Sequence, residues 1–360
     1  MFTTMKRNTP KIFHFRLLPI ALFLGLIFLS CASASGVVWY VSGDIDISGN
    51  GTTWPEAFLT IQEAVNAAGE GDEIWLKKGT YSLSAQINID KAAAIYGGFA
   101  GSETQRDQRD VATNVTSIDG QGSVYHCFYI TADATIDGLT ITGGNANGVS
   151  PDHTGGGIYI YQSFPRITNC IISENTAEYG GGVYNLYSSP TITGCTFTKN
   201  STIKSGGGIY NNYDSSPAIT DCNFSENSAS FSGGGILNSN NSSPTITNCA
   251  FTENSAVWGG GIFNDNSSPI ITNCTFSGNS ATVSGGGMYI DTSSPTITNC
   301  NFSENSAEWG GGIYNEESSP TITTCTFTEN SATRSGGAIN NNNSSPEMTE
   351  CLISKQFRAG

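Results

Sequence analysis

Basic side chains are scarce in this 360-residue chain: 15 Lys and Arg stand against 30 Asp and Glu, with three His. So little positive charge excludes nucleic acid as a partner, because that role needs a basic footprint. Charged residues of both signs reach only 12%. Ile, Phe, Tyr and Cys nevertheless return at regular intervals, as they do not in a disordered chain. Gly does not recur at every third position, which excludes collagen. The ten Cys contain no CxxC pair, so the close ligand spacing of a structural zinc site is missing. There is no Leu scaffold for leucine-rich repeats, and Gly, Thr and Ile stand where helical repeats would place Ala and Leu. Beyond residues 17–30, no run is long and apolar enough to span a bilayer.

The N-terminus has the pattern of an export signal. Lys6, Arg7, Lys11 and Arg16 precede the apolar run LLPIALFLGLIFLS at 17–30, and Ala32-Ser33-Ala34 follows as a small-residue cleavage site. Cys31 offers lipidation as the alternative to cleavage after Ala34. Without residues 1–34, 11 Lys and Arg face 30 Asp and Glu, a net charge of −19.

What the chain has in abundance is one sentence repeated. A GGGI-like word places Ile158, Val183, Ile209, Ile236, Ile262, Met288, Ile313 and Ile339 at steps of 25–27 residues. Pro165 through Pro346 and Cys170 through Cys351 step in the same way, and Pro to Cys is always five residues. Ile to Pro is seven or eight, and Cys to the next Ile is 13 or 14. Length variation is therefore confined to the Ser-Ser stretch before Pro and to the segment before the Gly run.

Three short strands are expected per repeat: Ile-Tyr-Asn, Thr-Ile-Thr and Cys-Thr-Phe. Ile322 and Phe327 are five apart, so strict alternation would send them to opposite faces. Position 324 and its equivalents Asn169, Asn248, Asn273 and Asn299 supply the reversal, since Asn tolerates the left-handed region. Ile322, Cys325 and Phe327 then all face inward. Such a repeat buries a core only by stacking on its neighbours. The expected fold is all-β, a right-handed single-stranded parallel β-helix with a short N-terminal capping helix. That helix is read from the capping-box pair Thr60 and Glu63 ahead of IQEAVNAA. The organisation is a signal peptide at 1–34, a cap and first coils at 35–150, eight coils at 151–351 and an incomplete last coil at 352–360.

TIQEAVNAAGEGDEIWLKKGTY at 60–81 resembles the opening of pectin-lyase-like parallel β-helix proteins, and YGGFAGSETQRDQRD at 96–110 resembles bacterial secreted members of that superfamily. The paired words GGGI and F-x-x-N resemble the repeats of chlamydial polymorphic outer membrane proteins. This resemblance implies a surface-exposed or secreted passenger, often an adhesin, normally carrying a C-terminal outer-membrane barrel. The sequence ends at CLISKQFRAG, with Ile353 and Gln356 where Phe and Asn are expected, which suggests truncation or release without an anchor of its own.

Three columns are candidates for chemistry. Asp265, Asp291 and Glu316 each stand three residues after the inward aliphatic, so stacking sets them about 4.8 Å apart per coil. That spacing suits a calcium site or a carboxylate pair, and solvated loop acids are the plainer alternative. Tyr159, Tyr184, Tyr210, Leu237, Phe263, Tyr289 and Tyr314 face outward if the aliphatics face in. Tyr184, Tyr210, Tyr289 and Tyr314 are the candidates for stacking on a glycan or a neighbouring surface; mutual stacking is the alternative. The Cys column reads as small buried hydrophobes, with inter-coil disulfides or metal as rivals. His126 and His153 are isolated in sequence. The functional expectation is an exported, non-catalytic, adhesin-like scaffold that binds an extracellular glycan or a cell surface. Its rival is a polysaccharide lyase or glycoside hydrolase centred on Asp265, Asp291 and Glu316.

Overall fold

The computed structural model describes residues 36–358; the expected export signal and Cys31 lie outside them. Each repeat forms one coil whose strands pair in parallel with those one coil before and after. Four parallel sheets result, of 10, 12, 11 and 9 strands. One coil shows the plan. Ile313–Glu316 belongs to an Ile-Tyr sheet, Thr321–Thr323 to a Thr-Ile-Thr sheet, Thr326–Thr328 to a Phe sheet and Ser331–Ser335 to a Ser-Ala sheet.

The fourth strand corrects the three expected. The Glu-Asn-Ser-Ala word is not a simple turn: its Glu takes a positive φ (Glu329, 59°), and Ser-Ala continues as strand. The bend at position 324 is present, with φ of 51–56° at Asn169, Asn248, Asn273, Asn299 and Thr324. Parity is thus reversed twice per coil, once on each side of the Phe strand. Ile322, Cys325 and Phe327 all point inward and are essentially inaccessible.

Stacking arranges the core in columns. From Phe197 to Phe327, successive rings lie 4.6–4.9 Å apart and within 3–7° of parallel. The cysteines Cys170 to Cys325 are buried and free, their Sγ atoms directed at backbone carbonyls, as small hydrophobes would be.

A column of buried Asn runs beside the Phe rings. Asn254 Nδ2 donates to the Phe224 carbonyl and to Asn279 Oδ1, both at 2.9 Å. Its own Oδ1 accepts from the backbone N and the Nδ2 of Asn227. A second column, Asn185, Asn211, Asn238 and Asn264, links amide to amide at 2.7–2.9 Å. Ile290 interrupts it, leaving Asn264 Nδ2 and Asn315 Oδ1 without partners. Past Cys351 the pattern continues: Ile353 pairs with Phe327, and Gln356 Nε2 donates to the Phe327 carbonyl, as Asn does elsewhere.

The Gly run brings each coil back to the Ile-Tyr sheet. Gly310 has φ +62°, and a Cβ on Gly311 would sit 2.3 Å from the Ser331 carbonyl and 2.6 Å from the Gly337 carbonyl of the next coil. No side chain fits there. At the other end the helix Ile61–Ala67 carries the expected Thr60/Glu63 capping box and buries Ile61, Ala64 and Val65. It packs on the first strands of two sheets, Val38–Val41 and Ile87–Ile89. Among the described residues, no helix is long and apolar enough to cross a membrane.

The ladders predict large local costs. Phe251→Ala should lose about 3–5 kcal/mol. Asn254→Ala, a smaller deletion, should lose about 1–3 kcal/mol for each backbone group it strands. Urea midpoints followed by far-ultraviolet circular dichroism measure both. An Asn254→Ala variant as stable as the wild type would remove the amide column from the account of stability.

Candidate functional site

Side chains alternate along the Ile-Tyr strands, so the residue after each inward aliphatic points away from the core. These aromatics do stack on one another. Ring centroids are 5.0 Å apart for Tyr129 and Tyr159, 5.7 Å for Tyr159 and Tyr184, and 5.1 Å for Tyr184 and Tyr210. Tyr159 and Tyr184 retain only 3% and 7% of their exposure. The neighbouring Ser-Ala sheet brings Tyr179, at the end of one of its strands, within 5.7 Å of Tyr210.

A loop closes the end of this stripe. Residues 147–154 leave the solenoid before the first full repeat and turn back on themselves through bonds from Gly148 N to the Asp152 carbonyl and from Thr154 Oγ1 to the Pro151 carbonyl. The His153 carbonyl then accepts from the backbone of Glu178 and Tyr179, fastening the loop to the next coil. Between this loop and the successive turns bearing Tyr213 and Asn240 lies a cleft of about 390 Å³, whose lining includes Tyr159, Tyr179, Tyr184 and Tyr210.

The polar groups of the cleft are positioned by the coils. Asn212 Nδ2 donates to the Tyr184 hydroxyl at 2.8 Å, and Ser239 Oγ donates to the Tyr210 hydroxyl at 3.0 Å. Burial pushes the phenols of Tyr159, Tyr184 and Tyr210 upward, so they remain hydroxyls. Lys204 pairs with Glu178 and lies 4.9 Å above the Tyr179 ring. At the rim, Tyr187 and Tyr213 stack at 5.4 Å. Both are nearly half exposed and both have φ near 50°, a conformation costly for a bulky residue.

The two histidines are not isolated in space. His126 is fully buried and stacks on Tyr159 at 5.4 Å, with Nδ1 2.9 Å from the Gly155 carbonyl. Burial lowers its pKa and keeps the ring neutral. His153 lines the cleft. Sequence reasoning missed the site because it counted coils only from Ile158. The signal was the overlong GNANGVSPDH segment, with Pro151 inside it.

The four nominated tyrosines therefore divide. Tyr184 and Tyr210 are in the cleft. Tyr289 and Tyr314 stand three and four coils beyond Tyr210, stacked at 5.0 Å beside the acids. Asp265, Asp291 and Glu316 occupy one register column. Glu316 is engaged by the Tyr289 hydroxyl and by Asn342 Nδ2. Asp265 accepts from Asn266, and Asp291 from Thr292. Among the described residues, no ion pair reaches this column and no group of three His, Cys, Asp or Glu is arranged to hold a metal. The three carboxylates form a line, which does not fit a calcium cradle.

The family model for right handed beta helix regions matches residues 103–264 and 229–353. No curated protein matches the chain. Among solved structures, a pectate lyase superposes with a TM-score of 0.57 at 14% identity, covering 85% of this chain and 78% of its own. The Geobacillus virus E2 ORF18 protein gives 0.52 at 15%, over 88% of this chain and 62% of its own. A rhamnogalacturonan lyase gives 0.51 at 11%, over 88% and 87%. The shared property is the fold, a right-handed β-helix of pectin-lyase type.

Within that fold the acid column has its own titration signature. Burial raises the Asp291 pKa above 3.8, and the charges of Glu316 and Asp265 raise it further, against the opposing Thr292 bond. The folded chain therefore holds this proton to higher pH than the unfolded chain. Stability contributed by the proton is present below 3.8 and is lost as pH rises through the raised value. Asp291→Asn should accordingly raise the urea midpoint at neutral pH and leave it unchanged well below 3.8. An equal effect at both pH values would contradict the assignment.

Proposed function

This chain belongs to the family of right handed beta helix regions, and from that premise we propose that it is an exported, non-catalytic scaffold that binds a glycan in its tyrosine cleft. The observation that carries the proposal is the cleft itself, with Tyr159, Tyr179, Tyr184, Tyr210 and Tyr213 around one opening of about 390 Å³. Aromatic faces suit the apolar faces of sugar rings, and a few fixed polar groups set orientation. Asn212 and Asn240 supply amides at the edge. A net charge of −19 outside residues 1–34 favours a neutral glycan over an acidic one. The basic-then-apolar pattern of the first 34 residues supports export.

Calorimetric titration with neutral oligosaccharides, and with oligogalacturonate as the acidic comparison, tests this reading. Tyr213→Ala and Tyr210→Ala should each weaken binding about tenfold, equivalent to about 1.4 kcal/mol. Binding that ignores both substitutions would overturn the proposal.

A second reading, a polysaccharide lyase or glycoside hydrolase, is favoured by one observation: the alignment of Asp265, Asp291 and Glu316 on the same outer face. Polysaccharide turnover that disappears in Asp291→Ala would establish that reading and displace the first.

A further inference from the structure

Neither the tyrosine cleft nor the acid column uses the stretch 96–110. It supplies Tyr96, Arg106 and Arg109 to a depression of about 340 Å³ on the outer face of the Thr-Ile-Thr sheet, which Arg166 joins from two coils further on. Outside residues 1–34 the chain has five Arg, and three of them line this one depression. Arg166 also departs from its own column. It stands immediately before a buried Ile, where the seven coils that follow carry Thr, Ala, Ile or Glu and no cation. Sequences break a local rule chiefly at functional sites, and the exposed Arg166 fills no place in the core.

Two of the three guanidinium groups already have acid partners. Arg109 Nη2 donates to Asp137 Oδ1 at 2.8 Å, and its Nη1 to the Gly97 carbonyl at 3.2 Å. Arg106 Nη1 donates to Glu73 Oε1 at 2.6 Å and to the Tyr96 hydroxyl at 3.0 Å. Both guanidinium carbons lie over the Tyr96 ring, 4.8 and 5.1 Å from its centre. Asp137 is engaged on both oxygens, since Asn169 Nδ2 donates to Oδ1 at 3.3 Å and Thr168 Oγ1 to Oδ2 at 2.8 Å. Among the described residues, Arg166 has no acid partner. Three cations therefore face two carboxylates, and one positive charge is left over. The segment that carries Arg106 and Arg109 is held in advance of any ligand. The Glu103 carboxylate accepts from the backbone N of Ala100, Gly101 and Ser102, and Asp110 N donates to the Gly98 carbonyl.

We propose that this depression binds a tetrahedral oxyanion, sulfate or phosphate, free or carried as an ester. Guanidinium groups present a fork of N–H donors that suits oxyanions. A carboxylate has two oxygens in one plane, and a single guanidinium satisfies both. A sulfate or phosphate group directs its oxygens to several sides, so it suits donors arriving from two elements. Arg106 comes from the turn Arg106–Gln108 and Arg166 from the strand Arg166–Thr168. Thr135 adds a hydroxyl to the lining. The net charge of −19 outside residues 1–34 repels anions at long range. Beyond about 8 Å that repulsion is screened at physiological salt, and the local excess of one cation decides. The depression shares no residue with the tyrosine cleft and does not depend on a glycan binding there.

Calorimetric titration of the protein with inorganic sulfate, inorganic phosphate, a sulfated disaccharide, a sugar phosphate and oligogalacturonate tests the proposal. At least one sulfate or phosphate probe should bind, and the tightest of the four identifies the oxyanion and whether it is carried as an ester. Arg166→Gln should weaken that binding about tenfold or more, the loss expected for hydrogen bonds to a charged group. Its circular-dichroism melt should be unchanged, because Arg166 is exposed. Arg106→Gln, a second variant, should also weaken it. Arg334→Gln removes the same charge in a remote coil and should have no effect, and neither should Tyr213→Ala. No binding of any sulfate or phosphate probe, an equal loss in Arg334→Gln, or tighter binding of oligogalacturonate through Arg166 would each overturn the proposal.

Discussion

Backbone hydrogen bonds between successive coils set the conditions for everything else in this chain. They hold each strand one sheet spacing from its counterpart, so the residue at any position meets its own equivalents above and below. A side chain is acceptable only if it packs on a copy of itself at about 4.8 Å. Phe satisfies this by parallel stacking, Asn by passing one hydrogen bond to the next Asn, and Gly by leaving room for the following coil's carbonyl. The repetition of the sequence is the repetition of that condition.

The Asn columns show how far it extends. A buried amide without partners is expensive, and yet two columns of them run beside the apolar core. Asn254 is affordable because its neighbours supply both its donors and its acceptors. The same logic explains the weak points. Where Ile290 replaces Asn, the groups on either side are left unpaired. The polar columns therefore specify register more strictly than the Phe column does, because an Asn displaced by one residue loses its whole set of bonds.

Much of this was legible from spacing alone. The invariant Pro-to-Cys interval marked a rigid segment, and the Asn at its centre marked a reversal of parity. The fourth strand was not legible. It depends on a second reversal at Glu329 and its equivalents, and Glu has no intrinsic preference for the left-handed region. The inward direction of Asn330 was hidden for the same reason. The outward direction of the tyrosine column is legible from alternation, but its covering by Tyr179 of the Ser-Ala sheet and by the 147–154 loop is not. Neither leaves a periodic trace.

Length variation and uniformity occupy different sides of the solenoid. Coils gain or lose a residue before Pro and before the Gly run. In the second place the extra residue is absorbed as a register shift in the Ser-Ala sheet, between Ala177 and Tyr179, Ala256 and Trp258, and Ala307 and Trp309. Both places flank the Ile-Tyr strands, so the cleft side can change its side chains and its depth from coil to coil. The Thr-Ile-Thr strands lie inside the invariant five-residue interval and do not vary in length. A discrete ligand needs local irregularity, which one loop and a few displaced residues provide.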